Sequence, residues 1–285
     1  MMKFLLSLCL ASVVIASVQA SAVYKLSKGD DWIYLGGTIH VLSEADFPLA
    51  AAYEIAFEQA DEVVFETDLA AFARPETQAK LMPVMMQPEG QTLSSQLSSE
   101  TLKALTEHLS EKGLPIAQID GLTATGAMLT LTIMEFESKG FSSEGVDAFY
   151  HTKALKEQKS ISWLESVDTQ IALLDSFDNG SPNELIEYTL LEMAKSDEAI
   201  NALYSAWKSG DMKALASVGL TQMKEEHPQI YRDLMVDRNN KWLPQIELMF
   251  GDENTEYVLV GALHLAGEDG ILKLMQEKGY HIEKL

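Results

Sequence analysis

Two stretches of the chain repeat a pattern able to do chemistry. Gly37-Thr38-Ile39-His40 and Gly261-Ala262-Leu263-His264 each set a histidine three residues after a glycine, with a glutamate four residues further on, Glu44 and Glu268. Each glycine closes an apolar run, Tyr34-Leu35-Gly36 in one case and Val258-Leu259-Val260 in the other, and a helix is predicted after each histidine. Neutral imidazoles ligate divalent transition metals and exchange protons near neutral pH. Ligand sites of open α/β sheets lie beyond the carboxyl ends of the strands, so two such units side by side would bring His40 and His264 to one crevice. The glycines would let the chain leave the sheet through a tight or positive-φ turn. The plainer alternative is that each histidine caps a loop or donates to a backbone carbonyl.

Two imidazoles alone make a poor metal site, and a carboxylate is the expected third group. Glu66 follows the apolar strand Val63-Val64-Phe65 and so reaches the same edge of a parallel sheet. Glu44 and Glu268 compete for the role, although an acidic residue in a first helical turn also serves the helix dipole. An oxygen ligand beside two nitrogens favours manganese, cobalt or zinc over a soft-metal site. His108, His151, His227 and His281 are isolated and are expected to satisfy local hydrogen bonds instead. The chain has no H-E-x-x-H helix, no G-x-S-x-G elbow and no phosphate-binding P-loop.

The elements that would position these groups are β-rich at both ends and helical between them. Val23 to Ser27 and Trp32 to Leu35 read as a hairpin turning over Lys28-Gly29-Asp30-Asp31. An alanine-rich helix is predicted over 48–60, then helices over 100–112, 122–139, 146–158, 183–207, 212–226 and 228–250. Short strands are expected at 161–164, 257–260 and 280–282, with a helix at 271–278 before the last. The fold class is therefore α/β: a mixed central sheet built from two β-turn-α-β units at the chain ends, with a large helical middle. No stretch reads as a linker.

The opening residues read as a secretory signal over 1–20: Met1-Met2-Lys3, an apolar run to Val18, and small residues at Val18 and Ala20. The run is too short for a spanning helix, so no stable membrane insertion is expected once the signal is removed, and the mature protein would be periplasmic or secreted. Cys9, the only cysteine, lies inside that segment, which excludes disulfides and thiolate chemistry from the rest. Residues 21–285 suffice for one α/β domain, and 47% hydrophobic residues supply its core. A formal charge of −22 repels phosphate backbones, so nucleic acid is not an expected partner.

At these residues the chain resembles the TraB/GumN proteins, related to the Tiki metalloproteases, from about Val23 to Leu285. The resemblance is carried by Gly37 to His40; Val64-Phe65-Glu66-Thr67-Asp68; Gly145-Val146-Asp147; Leu164-Glu165 with Gln170; Arg238-Asn239 with Trp242; and the run from Gly261 to Gly270. It implies an exported metal-dependent hydrolase acting on peptides, with one divalent ion held by His40, His264 and Glu66. Glu66 would be ligand or general base, and Arg238 would hold a developing oxyanion or a substrate carboxylate. Asn239 and Glu165 are further carry-overs. Without the resemblance, Arg238 beside Asp237 reads as part of a solvated helix face. A metal-free esterase-type hydrolase and a non-catalytic periplasmic protein binding metal or haem are the alternatives.

Overall fold

Six short runs of alternating or continuous apolar residues form one sheet in the computed structural model, which describes residues 21–285 apart from 143, 178, 179, 195, 196 and 252. The expected signal over 1–20, with Cys9, lies outside the described residues. The strands are β1 (Val23–Lys28), β2 (Asp31–Thr38), β3 (Glu62–Phe65), β4 (Ser160–Trp163), β5 (Glu256–Gly261) and β6 (His281–Lys284), in the order β4-β3-β5-β2-β1-β6. Only β1 runs against its neighbours, so the sheet is mixed as expected. The hairpin joining β1 to β2 turns over Gly29, whose φ of 66° suits a glycine.

The two terminal units interlock. β5 slots between β2 and β3, and β2 with β1 lies between β5 and β6. In consequence the two glycine-ended strands are direct parallel neighbours, with Gly37 opposite Val260 and Thr38 opposite Gly261. On the other side of β5, Phe65 pairs with Leu259, which puts Glu66 one step beyond that level.

Strand periodicity divides the core in two. Tyr34, Val63, Phe65, Tyr257 and Leu259 pack on one face with the helix Ala51–Gln59 and with Tyr150 and Trp207. Ile33, Leu35, Val64, Val258 and Val260 pack on the other with Trp242, Ile246, Ile271 and Met275. This geometry corrects the expected role of the glycines. Neither Gly37 nor Gly261 has a positive φ; Gly261 sits at −48°. Space is what Gly36 and Gly37 provide: a Cβ on Gly36 would stand 2.7 Å from the Tyr257 hydroxyl, and one on Gly37 would stand 3.0 Å from the Ala262 Cβ.

The helical middle has a third core of Leu93, Leu105, Leu109, Leu131, Leu185 and Ile186, built largely by the helices Ser99–Glu111, Ala124–Ser138 and Pro182–Met193. Ser98 and Thr123 cap the first two with their side-chain oxygens. Two predicted helices are each two. The run over 183–207 is Pro182–Met193 and Asp197–Ser209, and that over 212–226 breaks after Gly219 into Met212–Gly219 and Thr221–Glu226. The run over 228–250 is helical almost throughout, but its turn Arg232–Val236 is a π-helix between Pro228–Tyr231 and Asp237–Leu248. Tyr231 just before this turn and Met235 within it belong to the first core; beyond it, Trp242, Leu243 and Ile246 belong to the second. The helix thus passes from one face of the sheet to the other, and Arg238 lies at the crossing. Among the described residues no helix is long and apolar enough to cross a membrane.

Candidate active site

β2, β3 and β5 run parallel, and the residues at their carboxyl ends line one cleft of about 230 Å³. Thr38 ends β2 and His40 lies beyond it, Glu66 lies beyond β3, Gly261 ends β5 and His264 lies beyond it, and Arg238 comes from the helix Asp237–Leu248. The opposite wall is apolar: Leu203, Trp207, Leu215, Met235 and Leu263. The two histidines do not arrive in the same local structure. His40 stands in a loop, whereas His264 belongs to the single helical turn Ala262–Leu265.

Each imidazole is fixed through its Nδ1 atom. His40 Nδ1 lies 2.9 Å from Asp147 Oδ2, and a carboxylate accepts, so that nitrogen carries the proton. His264 Nδ1 lies 2.7 Å from Asn239 Oδ1, while the Asn239 Nδ2 donates to the backbone carbonyls of His264 and Asp269 at 3.2 and 2.8 Å. Those two donations orient the amide, so its oxygen faces the ring and Nδ1 of His264 is the protonated nitrogen. His264 Nε2 is then an acceptor, and Arg238 Nη1 donates to it at 3.1 Å.

Arg238 is the hub of the site and is buried, not solvated as its own sequence neighbourhood suggests. Its Nη2 donates to Glu66 Oε2 and, at 2.9 Å, to Glu165 Oε1; its Nε also faces Glu165, and its guanidinium lies 4.5 Å over the Trp242 ring. Glu165 is held in turn by Gln170 at 2.6 Å and by the Trp242 indole at 3.1 Å. The second oxygen of Glu66 accepts from the Gly261 N–H at 2.6 Å. The π turn ends at Val236, two residues before Arg238, and π turns recur at functional sites because they re-aim the side chains that follow.

Protonation follows from these contacts. The charge of Asp147 and its hydrogen bond lift His40 to about 9, against the pull of burial; solvent reaches the ring through the cleft although protein crowds round it. Burial, reinforced by Arg238 and His40 and opposed by Glu66, lowers His264 to about 4, so it is neutral at physiological pH. Burial alone would raise Glu66; the positive charge of His264 when protonated, of Arg238 and of His40, with the Gly261 N–H, outweighs it and holds the carboxyl at about 2.

The glycine of the Gly145-Val146-Asp147 segment has a steric role here. A Cβ on Gly145 would stand 2.3 Å from the Ile39 carbonyl oxygen and 2.4 Å from the His40 carbonyl carbon. Only glycine lets the helix Val146–Glu157 begin against that backbone, where Val146 N–H donates to Ile39 at 3.0 Å and Asp147 comes within reach of His40. Glu44 and Glu268 are exposed and outside the cleft, and Glu268 sits in a turn rather than in a helix. His108, His151, His227 and His281 are also outside it; His151 packs edge-on against Phe65 and His227 against Tyr188.

Among the described residues no group of three or more histidine, cysteine, aspartate or glutamate side chains is placed so as to hold a metal ion. The chemistry of the donor set nonetheless suits a divalent cation. His40, His264 and Glu66 share the cleft, and both imidazoles have Nδ1 tied to an acceptor, the usual way proteins orient ligating histidines. Glu66 and Glu165, whose side chains are 12% and 7% exposed, share one guanidinium, and an excess of negative charge largely out of water favours an added cation. Thr38, in the same lining, has a buried hydroxyl with no hydrogen-bond partner. An ion at His264 Nε2 would have to displace the Arg238 N–H that rests there.

Compared with known proteins, the chain matches no curated protein and no solved structure. One protein-family model, described as the TraB/PrgY/gumN family, matches residues 22–284, nearly its whole length. The chain belongs to the TraB/PrgY/gumN family.

Proposed function

We propose that the protein is an exported metal-dependent hydrolase whose substrates are peptides. One observation carries the reading: His40 and His264 line the same cleft, each with Nδ1 committed to an acceptor, beside a carboxylate brought there by a parallel strand. His40, His264 and Glu66 would hold the ion, which when bound lowers the pKa of a water and polarises a carbonyl. Glu66, anchored by the Gly261 N–H, would serve either as a ligand of the ion or as the general base that orients a water and takes its proton. Arg238, once its Nη1 leaves His264, is a donor for a developing oxyanion, and Glu165 with Trp242 keeps its plane fixed meanwhile. Leu203, Trp207 and Leu215 give the cleft an apolar side against which a substrate could pack.

The contact from Arg238 to His264 Nε2 favours a second reading, a metal-free hydrolase of esterase type in which Arg238 polarises the carbonyl and the ion is not needed. Metal analysis separates the two. The purified mature protein is expected to hold one manganese, cobalt or zinc ion, lost in His40→Ala and in His264→Ala. A mixed peptide library, scored by mass spectrometry with and without these ions, should be cut by the wild type and spared by Glu66→Gln. Equal metal content in all three proteins points to the esterase-type enzyme, and a library left intact under every ion refutes the peptidase.

A further inference from the structure

Behind the apolar wall of the cleft lies a second and larger cavity, of about 370 Å³. It is formed where the helices Ala124–Ser138, Pro182–Met193, Asp197–Ser209 and Met212–Gly219 converge, and Leu203 and Leu263 belong to the lining of both spaces. Leu263 immediately precedes His264. We propose that this cavity is the subsite for a bulky apolar side chain of the substrate, next to the bond that is cut.

The proposal rests on the peptidase reading of the cleft and adds a substrate class to it. Continuity supports it: a chain bound across the cleft at His264 meets the cavity on the far side of two leucines. The composition of the wall supports it too. Met128, Phe136, Met193, Ile200, Val218 and Met223 give an apolar surface, and methionine is the side chain that most readily repacks around different guests. Several of the polar groups present are engaged already. Glu135 pairs with Lys112 and Lys139 from outside the lining, Tyr188 hydrogen-bonds Glu192, and His227 packs on the Tyr188 ring at 4.7 Å. An apolar guest would leave the Glu135 ion pairs and the Tyr188 hydrogen bond intact. The volume lies within the range of about 300 to 1,000 Å³ typical of ligand pockets, ample for one aromatic side chain.

Gly219, in the lining of the larger cavity, touches both shared leucines. A Cβ there would stand 2.5 Å from Leu263 Cδ2 and 3.1 Å from Leu203 Cδ1, so glycine is what lets the two leucines sit where the spaces adjoin.

The test reads binding separately from turnover. Dye-labelled peptides identical except for one residue, Phe, Leu, Ala or Asp, are titrated by fluorescence anisotropy against full mature Glu66→Gln and against the same protein carrying Ile200→Trp or Ala199→Trp. Cleavage of the same peptides is followed with wild-type Glu66. The Phe and Leu peptides should bind at least about 10-fold tighter than the Ala peptide, since even one methylene in an apolar pocket is worth that much. Filling the cavity with either tryptophan should bring the Phe-to-Ala ratio towards one, and two positions guard against one variant failing to fold. A ratio near one before the cavity is filled, a ratio that survives both tryptophans, or no binding of any peptide overturns the subsite. Preference without cleavage overturns the peptidase and leaves the subsite standing; cleavage without preference does the reverse.

Discussion

Removing the guanidinium of Arg238 should cost more stability than any other single truncation in the cleft, and the cost should depend on pH. The perturbation is Arg238→Met, which keeps an unbranched apolar stem over Trp242 and deletes the charge shared by Glu66 and Glu165. Breaking a buried ion pair from one side costs about 3 to 5 kcal/mol, because the abandoned carboxylate stays out of water. The contacts of Glu66 set a ceiling of the same order. Its carboxyl is held at about 2, down from 4.5, by His264 when protonated, Arg238, His40 and the Gly261 N–H together, and at about 1.4 kcal/mol per pH unit their joint effect corresponds to about 3 kcal/mol at neutral pH, of which Arg238 supplies a part. Since the folded-state value is depressed, that stability is fully present above 4.5 and is lost as the pH falls through about 2. In Arg238→Met the carboxyls move upward instead, so their penalty fades once the pH drops low enough to protonate them. The assay is urea unfolding of chelator-treated wild type and variant, with no ion to share the carboxylates, at pH 7 and pH 4. A deficit of about 3 to 5 kcal/mol at pH 7 that shrinks clearly at pH 4 is expected. A deficit below about 1 kcal/mol, the size of an exposed pair, or one that ignores pH, would falsify the hub assignment.

Two further outcomes follow from the packing around the site. Gly145→Ala should lower stability by about 1 to 3 kcal/mol, the usual cost of forcing a methyl into a full space, and should loosen metal binding with it; a thermal melt and metal analysis check this, and an unchanged melt would mean that the His40 backbone yields freely. Asp46→Asn, which removes the charge facing Lys208 and leaves one accepting oxygen where Lys208 and Ser43 use two, should cost about 1 to 2 kcal/mol at pH 7. Burial would raise Asp46, but Lys208, Tyr204 and Ser43 outweigh it and hold it at about 2, so the difference from wild type should persist above 3.8 and vanish as the pH falls through about 2. Melting temperature against pH reads it directly.

Much of the site was legible because its chemistry sits at strand ends, where periodicity and punctuation are strongest. The apolar runs before Gly37 and Gly261 mark β2 and β5, and the short run before Glu66 marks β3, so three of the cleft's groups could be placed on one edge before any coordinates were known. Asp147 could not be paired with His40 from sequence. The two lie 107 residues apart, and nothing in a helix beginning Val-Asp says what its aspartate will meet. The burial of Arg238 was hidden for a related reason: its neighbour Asp237 reads as polar surface, while the two carboxylates that pair with it come from distant strand ends. The glycines were found but misread, since a steric demand made by Tyr257 on β5, or by Ala262 in the helical turn after it, leaves no local trace.

The π turn before Arg238 makes residue count, more than residue identity, the constraint on its helix. Each residue of an α-helix advances the phase by about 100°, and a π turn stores one residue more than an α turn. Deleting a single position within Arg232–Val236 would let the ladder relax to ordinary α pairing at almost no local cost, yet it would turn one half of the helix against the other by roughly that angle. Either Tyr231 and Met235 would lose the first core, or Arg238 and Trp242 would swing away from Glu66 and Glu165. Substitutions along the turn can be absorbed one at a time, whereas a one-residue change of length is an all-or-none event for the cleft.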